Sequence, residues 1–273
     1  MSGHTYADVS QFKSFLIDGG DASWTQSDTI LLTLLEGASR RIDEWADRSD
    51  FGSGFGPRTG TNKYDYPNDD DLDLRDDLLT ITSVTAHDVY GDTGRTLTDG
   101  THFIKRPSGG VYPYRELELL YSSTGVFGAA QEGNVIIGTW GYSNETYSLA
   151  TGGTLTASAT SLILSGGSAY AGQTLLVDSE QLYVTASGGT ATVVRGVNGT
   201  TAATHAASAA VSAYRYPREV VTACLRLTAY RHREAQSGIT GELGGGNIPV
   251  TSIRSEAGIL RSTVGHLRII GIG

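Results

Sequence analysis

Cysteine is almost absent from this chain. Cys224 stands alone among 273 residues, so no internal disulfide forms and no second thiol joins it at a metal. Long apolar runs are missing too: none reaches membrane-spanning length, and no positively charged, apolar leader opens the sequence. These absences predict a soluble protein made and used in a cytoplasm. Basic residues are scarce, with 20 Lys plus Arg against 29 Asp plus Glu and a net charge of −9. That balance argues against a protein held on nucleic acid by phosphate neutralisation.

Catalytic signatures are likewise missing. The six histidines, His4, His87, His102, His205, His232 and His266, form no i, i+4 pair and have no cysteine companion. No Gly-x-Ser-x-Gly elbow occurs. Gly52, Gly54 and Gly56 lie in a loop ending at Pro57, with no strand before and no helix after, which disfavours a phosphate cradle. Asp69, Asp71 and Asp73 alternate like the start of a calcium loop, but Leu74 stands where glycine is required and Thr80 where the bidentate glutamate belongs. An acidic turn before a strand is the better reading. Nothing singles out a carboxylate pair for glycoside cleavage. The expectation is a chain with no enzymatic site, no cofactor and no metal.

What is present is unevenly distributed. Residues 1–99 hold 17 Asp and 2 Glu against 8 Lys plus Arg, whereas residues 215–273 hold 8 Arg against 4 Glu. An acidic front and a basic tail suit a subunit that meets copies of itself or stacked partners. Residues 5–17 read as a short helix, with Val9, Phe12, Phe15 and Leu16 on one side. A stronger helix follows a Ser27 or Asp28 cap. Its stripe of Ile30, Leu31, Leu34, Leu35, Ala38, Ile42 and Trp45 is expected in the core or at a subunit interface. Arg40, Arg41, Asp43, Glu44 and Arg48 are expected mostly on the other face.

The pattern then turns to β. Strands are predicted at 63–66, 72–74, 78–89, 101–105, 116–121 and 134–140, separated by Gly, Pro and Asp clusters. Residues 152–214 carry only three formal charges, Asp178, Glu180 and Arg195, and are dominated by small residues. Strands are predicted there at 154–157, 161–164, 174–177, 181–185, 191–194 and 210–214, with Asn198-Gly199 as a tight turn. A helix begins at Pro217, with Val220, Val221, Cys224, Leu225 and Leu227 as its apolar face, and Gly238 stops it. The expected fold is α+β: a helical core from the N-terminal helix pair and the later helix, a small antiparallel β-sheet or barrel, and an inserted all-β module. Composition places the core at 1–146 and 215–237, the insert at 147–214, and a linker with a C-terminal tail at 238–273.

Several of these segments, in this order, resemble the head–tail connector (adaptor) proteins of tailed bacteriophages. They are TYADV, DTILLTLLEGASRRIDEWADR, NKYDYP, the LDL-x-D-x-LLTITSV strand, VIIGTWGY and YPREVVTACLRLTAYR. The likeness covers residues 5–146 and 215–235. A second stretch, DSEQLYVT followed by TVVRGVNGTTAATHAA, resembles a small β module of phage virion proteins. The family resemblance implies a ring, commonly of twelve subunits, beneath the portal vertex. It implies binding to the portal on one side and to a stopper or tail-completion component on the other. DNA would leave the capsid through its channel without specific binding. A virion neck location, assembly in the host cytoplasm and no membrane contact follow from the same resemblance.

The tail repeats an aliphatic-Arg pair every seven residues: Ile253-Arg254, Leu260-Arg261 and Leu267-Arg268. In a helix this spacing keeps the arginines on one slowly drifting stripe. With Ile259, Ile269 and Ile270, these residues are expected to dock the tail onto an acidic groove of the portal. The alternative reading is a receptor- or carbohydrate-binding virion protein that uses the β insert, where Tyr170, Tyr183 and Tyr214 are the candidate aromatics. An unrecognised hydrolase ranks last.

Overall fold

The structure is a computed structural model that describes residues 4–18, 27–48, 54–67, 70–110, 112–121, 125–237 and 255–267. Its chain divides into two compact units, Met1–Asp50 with Glu145–Ile270, and Phe51–Asn144. This division by compactness runs elsewhere than the division by composition, because the β module groups with the helices.

The Phe51–Asn144 unit is an antiparallel sheet. Its strands are β1 (Arg58–Tyr64), β2 (Asp71–Ala86), β3 (Arg95–Leu97), β4 (Phe103–Arg106), β5 (Tyr114–Leu119) and β6 (Asn134–Trp140). The order is β1-β6-β2-β5-β4, with β3 paired to β2. Trp140, Phe103, Leu78, Ile136 and Phe127 form its core. Trp140 donates its indole N–H to the Gly60 carbonyl at 3.2 Å, so its one polar atom is satisfied. Gly138 is dictated by packing: a Cβ there would lie 2.2 Å from the Thr80 carbonyl oxygen. The two pieces predicted at 72–74 and 78–89 are one strand. Asp76 and Asp77, which interrupt the hydropathy, sit buried where the β2–β5 register shifts between Asp73 and Leu78. Asp77 is neutralised there by Arg115 at 2.9 Å.

In the other unit, β7 (Thr146–Gly152), β8 (Ser161–Ser165), β9 (Thr174–Val177), β10 (Glu180–Ala186), β11 (Thr190–Val194) and β12 (Ala210–Tyr214) close a barrel in the order β10-β11-β8-β7-β12-β9. Leu162, Leu164, Leu175, Val177, Leu182, Val184, Val193 and Val211 fill it. Inward alternation along each strand produces this core. The strand predicted at 154–157 does not form; only Leu155 bridges, to His205. The chain enters and leaves the barrel at one place, since Thr146 pairs with Tyr214.

Helices α1 (Val9–Asp18), α2 (Asp28–Trp45), α3 (Arg218–Ser237) and α4 (Glu256–Val264), with a 3-10 turn at Gly265–Leu267, complete the described elements. Asp8 and Gln11 close a reciprocal capping box on α1, at 2.8 and 3.0 Å. Residues Leu31, Leu32, Leu35, Ala38 and Ile42 are the buried apolar face of α2. That helix meets α3, α4 and β10, while α1 touches α2 and α3. On α3, Val220, Ala223, Cys224 and Leu227 are buried.

The expected helical connector core built on an N-terminal helix pair is not present. The described residues are mostly β, in two antiparallel sheets, and four α-helices accompany them. The physical reason is where α1 and α2 spend their apolar faces. Each is too short to bury its stripe against the other alone, and α2 shares its burial with α3, α4 and the barrel wall. Among the described residues, no helix is long and apolar enough to cross a membrane.

Candidate functional site

Two polar constructions and one cavity concentrate the chemistry, all within the helix–barrel unit. The first construction is centred on Glu180, at the start of β10. Its carboxylate is 1% exposed and receives a two-pronged contact from Arg195, 2.7 Å for each nitrogen. It also accepts from the backbone N–H groups of Gly196 and Ala203, and the His205 ring lies at 2.8 Å. Arg195 spends its remaining donors on the carbonyls of Thr156, Ala159 and Ala203. The other ring nitrogen of His205 lies 2.7 Å from Asp178. Burial pushes Glu180 up, but Arg195, the backbone donors and His205 outweigh it and bring the carboxyl down to about 2. Burial pulls His205 down, yet its two carboxylate contacts raise it overall. Every partner is satisfied, and the histidine faces acids on both sides with no nucleophile among its contacts. The arrangement pins the loop from Arg195 to His205 across the barrel end, which is a structural task. The DSE…VVRGVNG…ATH spacing in the sequence is therefore the spacing of this clasp.

The second construction lies under α2. Tyr6 donates to the Asp43 carboxylate in a short contact, and Arg40 pairs with the same carboxylate at 2.9 Å. Arg40 also donates to the His4 carbonyl at 2.7 Å, and the His4 ring meets the Tyr216 hydroxyl at 2.8 Å. Burial raises Asp43 to about 6 against the pull of Arg40 and the Tyr6 hydroxyl. Asp43 and Arg48 were expected on the outer face of this helix, and both are buried. Helical periodicity places a residue on a face but not which faces are covered, and Arg48 reaches the Leu267 carbonyl at 3.4 Å.

Beside this network is a cavity of about 270 Å³ whose lining includes Asp8, Tyr147, Gln173, Tyr214, Arg215 and Tyr216. Asp8 is buried and accepts from Gln173 Nε2 at 3.0 Å as well as from its capping partner. Burial raises its carboxyl, and the groups that pull it back are neutral donors of Gln11, Gln173 and Ser10. The Arg215 guanidinium lies 5.5 Å from the centre of the Tyr147 ring. Burial raises Tyr214 to about 12. Asp8 and Gln173 were not singled out from the sequence. The Asp-x-x-Gln capping pattern was a legible signal for the first, and nothing local marked the second.

The sequence-predicted residues are scattered by the fold. Leu31, Leu35 and Ile42 are buried, Leu34 and Trp45 half-buried, and Ile30 is exposed. In the tail, Ile259 and Leu260 are buried on α4, which packs against this chain's own α3 and α2. Arg261 is exposed and Leu267 half-buried, while Ile253, Arg254, Arg268, Ile269 and Ile270 lie outside the described residues. Of the candidate binding aromatics, Tyr183 is buried, sharing its hydroxyl with Thr5 and Glu36, so it offers no exposed platform. Tyr170 is exposed, and Tyr214 lines the cavity.

In the sheet unit, Asp71, Glu116 and Glu118 bring carboxylate oxygens within 4.8 Å of one another. They meet because Asp71 stands opposite Glu118, and Asp73 opposite Glu116. Like charges directly opposite destabilise a sheet, and Arg106 offsets this by pairing with Glu118. Burial and the neighbouring carboxylates raise Glu116. Asp69 lies outside the described residues, so the calcium-loop pattern reduces to alternating acids on the exposed face of β2.

No protein-family model and no curated protein matches the chain. A solved structure described as the neck of an empty GTA particle, computed with C6 symmetry, aligns over 98% of this chain and 92% of that chain. The TM-score is 0.41 and the identity 12%, a degree of likeness that establishes neither a shared fold nor a shared role.

Proposed function

We propose that this chain is a structural subunit of the neck of a tailed phage particle. In this reading it forms a ring that joins the portal to a stopper or tail-completion protein. The observation that carries it is the order of the connector-like segments. TYADV leads into α1, DTILLTLLEGASRRIDEW is α2, LLTITSV lies in β2, VIIGTW is β6 and REVVTACLRLTAYR opens α3. The barrel departs between β6 and α3 through its paired ends, Thr146 and Tyr214.

Two further properties support the reading. The polar cluster around Glu180 is internally satisfied, as suits a structural rather than catalytic chain. A net charge of −9 repels a polyanion, so DNA would pass such a ring without sticking. A ring of twelve, portal attachment and a neck location are the finer parts of the proposal.

The test is the mass of the purified full-length chain in solution, measured alone and with an isolated portal ring. The expected species is one closed ring, alone or templated by the portal. A trimer would point to a receptor-binding spike. A chain that stays monomeric in both conditions would overturn the proposal.

A further inference from the structure

The turn between β2 and β3 is held by more hydrogen bonds than a surface turn requires. Asp92 accepts from the backbone N–H groups of Asp88, Val89 and Gly94 at 3.0, 3.2 and 2.9 Å, and the His87 ring lies at 2.7 Å. Arg95 grips Asp88 and donates to the carbonyls of Val126 and Phe127 at 2.9 and 3.2 Å. Gly91 and Gly94 take positive φ angles of 87° and 62°, which close the turn at no Cβ cost.

The loop thus consumes its polar groups internally while its apolar tip faces outward. Tyr90 is 96% exposed and Val89 66%, and Val126, whose carbonyl Arg95 holds, is 54% exposed. A lone exposed apolar residue needs no explanation. A tyrosine presented on a pre-ordered turn does, because the ordering cost is met before any partner arrives. Tyrosine is also among the residues that most often anchor interfaces. Tyr121 is equally exposed, but it adjoins residues 122–124, which are not described.

A matching receptor exists in the other compact unit. The cavity of about 270 Å³ has tyrosine walls, and the buried Asp8 carboxylate there takes its hydrogen bonds from neutral donors. Its volume falls below the ~300–1,000 Å³ typical of small-molecule sites, and so favours a single aromatic side chain. Tyrosine answers each wall: its ring packs edge-to-face on Tyr147 and Tyr214, and its hydroxyl is a donor for Asp8.

We propose that Tyr90 of one copy of this chain inserts into the Asp8–Tyr147–Gln173 cavity of a second copy, with Val89 and Val126 covering the rim. The proposal rests on the ring reading above and names its repeating contact. Knob and cavity are different patches, so the contact is heterologous and propagates until rotation closes it into a ring.

The test uses the full-length chain with Val89→Cys and Gln11→Cys, which keeps the Tyr90 knob: Val89 is the exposed neighbour of Tyr90, and Gln11 lines the cavity and is exposed. Cys224 is buried and does not compete. Under oxidation the double variant should give a ladder of disulfide-linked oligomers. An equimolar mixture of the two single variants should stop at dimers. Separately, Tyr90→Ala should remove the ring while leaving the circular dichroism spectrum unchanged, and Tyr90→Phe should restore most of the assembly. A ring that persists undiminished in Tyr90→Ala, with no ladder from the double variant, would overturn this contact and leave the ring proposal standing. A wild-type chain that never assembles, with or without portal, would overturn the ring proposal itself.

Discussion

Thr146 and Tyr214 stand opposite each other as an antiparallel pair, and one step outward the Arg215 N–H reaches the Glu145 carbonyl at 2.8 Å. The two crossings of chain into the barrel are therefore clamped side by side. The sheet unit has the same property, because Arg58 at the start of β1 is opposite Trp140 at the end of β6. A unit whose ends meet and whose core is its own can fold without its neighbour.

The first prediction follows for residues 54–144 expressed alone. Their core of Trp140, Phe103, Leu78 and Ile136 belongs entirely to this segment. The fragment should melt cooperatively and give dispersed amide resonances. An aggregated fragment, or one with random-coil shifts, would show that the sheet depends on the rest of the chain.

The second prediction concerns the barrel clasp. Arg195→Ala leaves the Glu180 carboxylate buried without its cation. Breaking one side of a buried pair costs about 3–5 kcal/mol, more than removing both partners together. Urea unfolding should show that loss for Arg195→Ala and a smaller one for Arg195→Met combined with Glu180→Gln. Equal losses would mean the pair is worth no more than its packing.

The clasp should also contribute most to stability in a pH window set by its own residues. Glu180 has a folded value near 2, below its ordinary 4.5, so its contribution is present above pH 4.5 and fades as pH falls toward 2. His205 has a folded value above its ordinary 6.5, so its contribution is full below pH 6.5 and fades as pH rises through the folded value. The clasp's share of the melting temperature should decline on either side of pH 4.5–6.5, superposed on the loss that buried Asp43 brings as pH rises toward 6, and His205→Gln should flatten the decline above pH 6.5 alone. An unchanged alkaline slope in His205→Gln would assign it to another group.

Gly138→Ala is the sharpest single test of the sheet unit. Its new Cβ would meet the Thr80 carbonyl, a backbone atom that cannot rotate away. The β2–β6 pairing must open, at about 1–3 kcal/mol or more. Calorimetry should show the loss in the transition of the sheet unit, and an unshifted transition would mean that the strands part without cost.

The C-terminal helix should behave as part of the fold. Leu260 is fully buried, and Arg231 on α3 pairs with Glu256 at 2.7 Å. Leu260→Ala should cost about 2–5 kcal/mol. Truncation after Gly246 should speed hydrogen exchange along α3. Unaltered exchange on α3 in the truncated chain would show that α4 contributes nothing to it.

Much of the local structure was legible in the sequence. The α2 stripe, the proline before α3 and the alternation at 134–140 each reflect interactions between residues close in sequence, where periodicity acts. The strong contrast of residues 152–214 likewise marked a compact all-β module; that it closes into a barrel, whose narrow interior admits mostly aliphatic and Ala side chains, was decided by strand pairing. Even the clasp left a trace, in the spacing of Glu180, Arg195 and His205.

Tertiary structure alone decided what those elements bury against. Asp43 and Arg48 look like surface residues on a helical wheel, and burial, with contacts to Tyr6 and to the Leu267 carbonyl, turns them into core. Asp76 and Asp77 look like a strand break, and Arg115 from the adjacent strand makes them a bulge within one strand. Ile259 and Leu260 look like a tail awaiting a partner, and α3 of the same chain covers them. In each case the deciding contact joins residues far apart in sequence. Local propensity is fixed by neighbours along the chain, but whether a face meets water, a charge or another helix is fixed only when distant segments pack.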